Sequence, residues 1–197
     1  MTICLFTVAV LAACARSAPP PDATPAPQSG RQGSGPAHSA ADVAFMRGMI
    51  AHHQQALEMA ALVPERTTTE AIRLLAERIQ VSQTDEIAQM TRWLERRGES
   101  TTPAGDHTAH HAQGEPMPGM LTPEEMDSLA RARGAEFDRK FLELMIRHHQ
   151  GALMMVGQLL ATPGAGEEVD VYRIASEIDS DQRIEIQRME QMLDTLG

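Results

Sequence analysis

Four histidines stand as two adjacent pairs, His52-His53 and His148-His149, and methionines surround both: Met46, Met49 and Met59 about the first, Met145 and Met155 about the second. Imidazole and thioether together, with no thiolate among them, suit copper, especially Cu(I), or its mimic Ag(I), better than zinc or magnesium. Met49 and His53 are four residues apart, as are Met145 and His149, so on a helix each couple lies one turn apart on one face and can share an ion. Met49 and His52, three apart, can do the same. An imidazole must be deprotonated to ligate, so a Met/His site is expected to weaken as the pH falls through about 6.5, the unperturbed histidine pKa.

The stretch that carries the first pair, Asp42 to Met59, places Met46, Met49, Ile50, His53, Ala56 and Leu57 on one helical stripe, with Phe45, His52 and Met59 on its flank. Arg47, Gln54, Gln55 and Glu58 fall opposite. Both histidines therefore belong to the side a helix buries. The stretch returns 96 residues later without gaps: Asp42, Phe45, Met49, Ile50, His52, His53, Gln54, Ala56, Leu57 and Met59 recur as Asp138, Phe141, Met145, Ile146, His148, His149, Gln150, Ala152, Leu153 and Met155. Such an internal repeat implies two copies of one site.

Each histidine helix is followed by a partner helix with polar residues in its inward stripe. In the first, Ile72, Leu75, Ile79, Ile87, Met90, Trp93 and Leu94 are interrupted by Gln83 and Glu86; in the second, Ile178, Ile186, Met189 and Leu193 by Gln182 and Glu185. A buried carboxylate or imidazole is costly unless it is paired or bound to a metal. One solution is a closed hydrogen-bond network, in which Glu86 and Glu185 meet the histidines and Gln83 and Gln182 satisfy what remains. The other is a metal ion. The Glu-x-x-His pattern of di-iron bundles is missing from these helices, which weighs against oxidase chemistry.

The elements follow from caps and breakers. The first helix is expected from about Ser39 or Ala40 to Val63, ended by Pro64; the second from Thr67–Thr69 to Arg97, stopped by Gly98. Thr122-Pro123-Glu124-Glu125 starts a short helix that stops near Gly134. The second histidine helix begins near Phe137 or Asp138 and is closed by Pro163-Gly164, and the last runs from about Gly166 to Leu196. Two repeated αα-hairpins, 41–98 and 122–196, bury their stripes most simply as an all-α, antiparallel four-helix bundle. The linker 99–121, with His107, His110, His111, Met117 and Met120, suits the crossover of a ferritin-like arrangement and is a candidate for loose metal pickup.

Composition bounds the rest. Aromatic residues are 3% of the 197 residues while methionines number 13, so flexible thioethers fill much of the interior. A formal charge of −10 argues against a nucleic-acid partner. Residues 1–14 read as a lipoprotein signal peptide: the apolar run is too short to span a membrane, and Leu11-Ala12-Ala13-Cys14 resembles a lipoprotein box that makes Cys14 a lipidated N-terminus. Residues 15–40 hold six prolines among Ser, Gly and Ala and read as a disordered tether to the bundle domain, 41–197.

The Met-Ile-x-His-His-Gln-x-Ala-Leu repeats, with Glu136-Phe137-Asp138 before the second copy, resemble the CopM-like family of exported, ferritin-like four-helix proteins, a domain of unknown function (DUF305), over roughly residues 40–196. The resemblance implies copper or silver binding in the periplasm, for tolerance or delivery. Carried over by position, it implies Met49, His52, His53, Met145, His148 and His149 as ligands, with Met46, Met59 and Met155 in support. Leu142 stands where Met46 stands in the first copy, so the second site is expected to be poorer in sulfur.

The reading is therefore a lipid-anchored periplasmic protein that sequesters or hands on copper without catalysis, its partners a metal ion and a membrane. Homo-oligomers are compatible with it. The rivals are a metal-free envelope module with a buried His/Glu/Gln network, and a redox metalloenzyme.

Overall fold

Capping chemistry fixes where the first histidine helix begins. Ser39 Oγ accepts the Asp42 N–H at 3.1 Å and the Asp42 carboxylate accepts the Ser39 N–H at 2.7 Å, a reciprocal box that satisfies two otherwise orphaned donors. In the computed structural model, which describes residues 38–102 and 117–196, six helices follow: α1 (Ala40–Ala61), α2 (Val63–Arg66), α3 (Glu70–Glu95), α4 (Pro123–Arg131), α5 (Gly134–Ala161) and α6 (Val169–Leu196). No strand occurs among the described residues. None of their helices is long and apolar enough to cross a membrane.

The four long helices form a ferritin-like antiparallel bundle, and its two apolar clusters give the helix directions. One cluster joins the start of α1 (Met46, Met49) to the end of α3 (Met90, Trp93), the end of α5 (Met155, Val156) and the start of α6 (Ile174, Ile178). The other joins the end of α1 (Met59, Val63) to the start of α3 (Ile72, Ile79), the start of α5 (Phe141, Met145) and Met189 of α6. So α1 runs against both α3 and α5, and α6 against both of its neighbours. Because α3 ends at one pole and α5 starts at the other, the chain between them has to travel the length of the bundle, as the long linker suggested.

Two buried aspartates lash the hairpins together. Asp42 Oδ1 accepts the Gly166 N–H at 2.7 Å, tying α1 to the loop between α5 and α6. Its repeat mate Asp138 accepts from Thr69 Oγ1 at 2.6 Å, tying α5 to the start of α3. The repeat in the sequence is thus a pseudo-two-fold relation in space, with corresponding residues doing corresponding work.

Several boundaries differ from expectation. Pro64 does not end the helical path; it sits in the first turn of α2, where a missing N–H does no harm. The second histidine helix starts at Gly134 rather than at Phe137, since Ala135 and Glu136 are helical but exposed and the pattern registers only where burial begins. The last helix starts at Val169, not Gly166: Gly166 has a positive φ of 70°, and Glu168 is occupied as acceptor for Trp93 Nε1 (2.6 Å) and Arg97 (2.7 Å). His38, assigned to the tether, lies edge-on to Trp93 with ring centroids 5.4 Å apart, so the ordered part begins before residue 41. Residues 1–37, where the signal peptide and most of the tether are expected, and residues 103–116 lie outside the described residues.

Candidate metal centre

Between the two apolar clusters every long helix contributes two polar side chains to one layer: His52 and His53 from α1, Gln83 and Glu86 from α3, His148 and His149 from α5, Gln182 and Glu185 from α6. All eight are buried, and none of the four imidazoles has any exposed surface. The inward placement of both pairs is as the periodicity implied.

The two histidines of a pair have different neighbours. His53 Nε2 lies 2.6 Å from Glu86 Oε2, and His149 Nε2 lies 2.7 Å from Glu185 Oε2, each bond joining the two helices of one hairpin. Ser82 Oγ adds a weak donation to Glu185 Oε1 at 3.4 Å. Burial lowers the His53 pKa to about 3, and it raises that of Glu86 to about 8 with help from the Asp181 and Glu185 carboxylates. Burial thus disfavours the charged form of both partners and favours a neutral hydrogen bond, the carboxyl donating to the imidazole, over an ion pair.

His52 and His148 instead face each other across the hairpins, with ring centroids 3.9 Å apart and planes inclined by 36°. Stacking at that distance requires uncharged rings. Burial, reinforced by the neighbouring imidazoles, pulls His52 down to about 3 and His148 well below 6.5. His52 Nε2 lies 3.0 Å from the Pro118 carbonyl oxygen. A carbonyl can only accept, so Nε2 carries the hydrogen and Nδ1 holds the lone pair, buried and without a partner. Neither nitrogen of His148 has a hydrogen-bond partner; the His52 backbone opposes its pKa shift without reaching hydrogen-bond geometry.

Two expectations are corrected. Gln83 and Gln182 were to close the network, yet both atoms of each amide are buried without partners, so the network is half made. Burial lowers His52 and His53 to about 3 and His148 well below 6.5, so these three rings cannot set a loss of affinity at pH 6.5; their proton competition moves to lower pH.

The thioethers are distributed across repeats rather than within them. Met46, Met49 and Met155 share one apolar cluster, with Met117 of the linker packed against it; Met59 and Met145 share the other. Gly48 faces the first group: a Cβ there would lie in ordinary van der Waals contact, 3.4 Å from Met155 Cε and 3.7 Å from Met117 Sδ. Leu142, the counterpart of Met46, is in the second cluster, which is poorer in sulfur at that position as expected. Among the described residues no three His, Cys, Asp or Glu side chains converge as a ready chelate. The free imidazole nitrogens and the nearby thioethers are uncharged and buried, a donor set that fits a soft metal. Cys14, His107, His110 and His111 lie outside the described residues.

Sequence reasoning missed the residues that cover the layer. Met117–Leu121 runs over the groove between α1 and α5, and Gln55 clamps it from below, Nε2 donating to the Leu121 carbonyl (3.0 Å) and Oε1 accepting the Leu121 N–H (2.8 Å). One signal was present. Gln55 aligns with Gly151 in the repeat, and Gly151 is where a Cβ would fall 2.0 Å from the Pro118 oxygen. The mismatch in the repeat marks where a segment without a symmetry mate crosses it.

Residues 42–193, most of the chain, match DUF305, a domain of unknown function. The chain belongs to the DUF305 family. A DUF305 fragment from Deinococcus radiodurans is 36% identical over 81% of this chain and 99% of its own, with a TM-score of 0.71. A DUF305 protein from Streptomyces coelicolor, described as secreted, is 32% identical over 80% of this chain and 94% of its own, with a TM-score of 0.67. CopM in its Cu(II)-bound form is 30% identical over 79% of this chain and 97% of its own, with a TM-score of 0.65. CopM structures also exist in Cu(I)-bound, Ag-bound and apo forms. No curated protein sequence matches the chain.

Proposed function

We propose that this DUF305 protein binds copper, favouring Cu(I) and accepting Ag(I), in the polar layer of its bundle, and that it sequesters or hands on the metal without turning over a substrate. The observation that carries the reading is the His52/His148 stack: two uncharged, fully buried imidazoles whose nitrogens, save the one held by Pro118, have no partner. Leaving buried polar atoms unpaired costs about 1–3 kcal/mol each, so such a stack is hard to explain without something to bind. His52 Nδ1 and His148 are the imidazole donors, and Met49, Met145, Met46, Met59 and Met155 are the sulfurs on either side of the layer. The CopM structures with Cu(I), Cu(II) and Ag support the choice of metal. His53 and His149, already bonded to carboxyls, serve in the second rank. Export fits the relative described as secreted, and a periplasmic location with a lipid on Cys14 completes the proposal.

A metal-free interaction module is the second reading, and the two closed His–Glu bonds favour it. The test is metal analysis of protein recovered from a copper-supplemented periplasm, followed by titration against a competing Cu(I) chelator. Stoichiometric copper with no redox turnover is expected. Protein that emerges metal-free and fails to compete for Cu(I) at sub-micromolar concentration would leave only the module.

A further inference from the structure

We infer that the segment Met117–Leu121 is a latch that fixes His52 as its Nε2–H tautomer and so commits Nδ1 to the metal, with Gln55 and Gly151 as its positioning residues. The inference rests on the metal-binding reading above and assigns to these residues a role in it.

Three independent contacts hold the latch. The Pro118 carbonyl takes the His52 Nε2–H at 3.0 Å, and because a carbonyl offers no hydrogen, this bond is possible with only one neutral tautomer. Gln55 then binds both backbone groups of Leu121 with one amide, so the segment cannot slide along α1 without losing two bonds at once. On the other flank the backbone crosses α5 at a point where both chains are glycine. Gly119 has a positive φ of 75°, and a Cβ built on it would lie 2.5 Å from the Arg147 carbonyl oxygen; one built on Gly151 would lie 2.0 Å from the Pro118 oxygen. Gly151 occupies the interior of a 28-residue helix, where glycine is otherwise unfavourable by about 1 kcal/mol relative to alanine. Its presence is explained by the closeness of the Pro118 carbonyl, which has to come that near to reach His52.

A hydrogen bond from the second ring nitrogen to a backbone carbonyl is the usual way in which a protein orients a ligating histidine, and loss of such a partner weakens metal binding roughly 10–100-fold. The difference between the repeats then acquires a reason. His148 has no carbonyl of this kind, so the latch makes the two stacked imidazoles unequal: one has its tautomer set in advance, the other is free to adopt whichever the ion requires.

The test uses the full chain, metal-free, labelled with 15N-histidine, together with Gly151→Ala and Gln55→Leu. Long-range 1H–15N spectra at pH 7 should show His52 protonated at Nε2 in the wild type and a mixture of tautomers in both variants, while melting curves confirm that each remains folded. Ag(I), which is stable in air, serves as the metal probe and should bind both variants about 10–100-fold more weakly. A wild-type His52 protonated at Nδ1 overturns the latch at once. So does equal Ag(I) affinity in the wild type and both folded variants. If the wild type shows the Nε2–H tautomer yet binds no Ag(I), it is the metal reading that fails, and the latch's role in metal binding falls with it.

Discussion

Within one layer, His53 and His149 have carboxyl partners while His52 and His148 have no side-chain hydrogen-bond partner, although the four rings are equally buried and each pair is adjacent in sequence. The difference is one of direction. The second histidine of each pair looks along its own hairpin and meets Glu86 or Glu185; the first looks across the pseudo-two-fold axis and meets its own counterpart. Two identical groups related by symmetry cannot satisfy one another as donor and acceptor without breaking that symmetry, whereas an imidazole and a carboxyl can. Burial alone therefore says little about a histidine's role. The partner decides, and here it separates two rings bonded to a carboxyl within their own hairpin from two stacked on each other between the hairpins.

Substitution should expose that division most strongly. Replacing His148 with Leu removes a buried group with no partner, so the metal-free protein should melt at the wild-type temperature or above it, while Cu(I) affinity falls by more than the ~10–100-fold associated with losing an outer-shell partner. His53→Leu should do the reverse: it orphans Glu86 and should destabilise the fold by about 1–3 kcal/mol, with the weaker effect on affinity. Thermal melts beside chelator titrations check both, and a His148→Leu protein that melts below His53→Leu would erase the distinction.

The acid–base behaviour of the layer provides a second comparison. His52 and His53 titrate at about 3 when folded and near 6.5 when unfolded, and His148 is shifted in the same direction. Below pH 6.5 the unfolded chain takes up protons that the folded one refuses, so stability is lost as the pH falls from 6.5 toward 3. Glu86 acts oppositely. Its folded value of about 8 lies above the unfolded 4.5, so its contribution is complete below 4.5 and lost as the pH rises through 8. Between 4.5 and 6.5 three histidines outweigh one carboxyl. The melting temperature of the metal-free protein should rise over that interval, peak near pH 6.5 and drift down toward pH 8, and in Glu86→Gln the downward drift should vanish. A melting temperature that climbs steadily through pH 8 in the wild type would mean that Glu86 is ionised. Copper affinity, set by rings already deprotonated, should stay level from pH 7 to 5.

Much of this was legible in the residues. The repeat, the inward histidines, the two hairpins and the interrupted stripes all follow from periodicity, because helical burial leaves a regular imprint. Caps were legible where side chains make them, as at Thr122 with Glu125. What periodicity cannot carry is contact between elements. Nothing in the spacing of Glu86 says that it reaches His53 and not His52, and Gln83, which has the same appearance in sequence, reaches nothing. The latch left only the Gln55/Gly151 mismatch as a trace, for a related reason: its bonds are made by backbone atoms of Pro118 and Leu121, whose side chains are silent about them.

The smallest effect on the fold, and the sharpest test of the sulfur, comes from Met49→Leu with Met145→Leu. Both methionines are fully buried, one in each apolar cluster, so the pair samples both sides of the layer at once. Leucine nearly conserves the volume, and such exchanges usually cost less than about 1.5 kcal/mol at each site. The hydrogen bonds of His53 and His149 involve no sulfur and should persist. Stability should therefore change little, while Cu(I) affinity should fall by at least about tenfold, equivalent to ~1.4 kcal/mol, if either thioether binds the ion. No three His, Cys, Asp or Glu side chains among the described residues form a ready chelate, which is why a sulfur contribution is part of the proposal. A double variant that competes for Cu(I) as well as the wild type does would assign both sulfurs to packing and leave the imidazoles to act with donors other than Met49 and Met145.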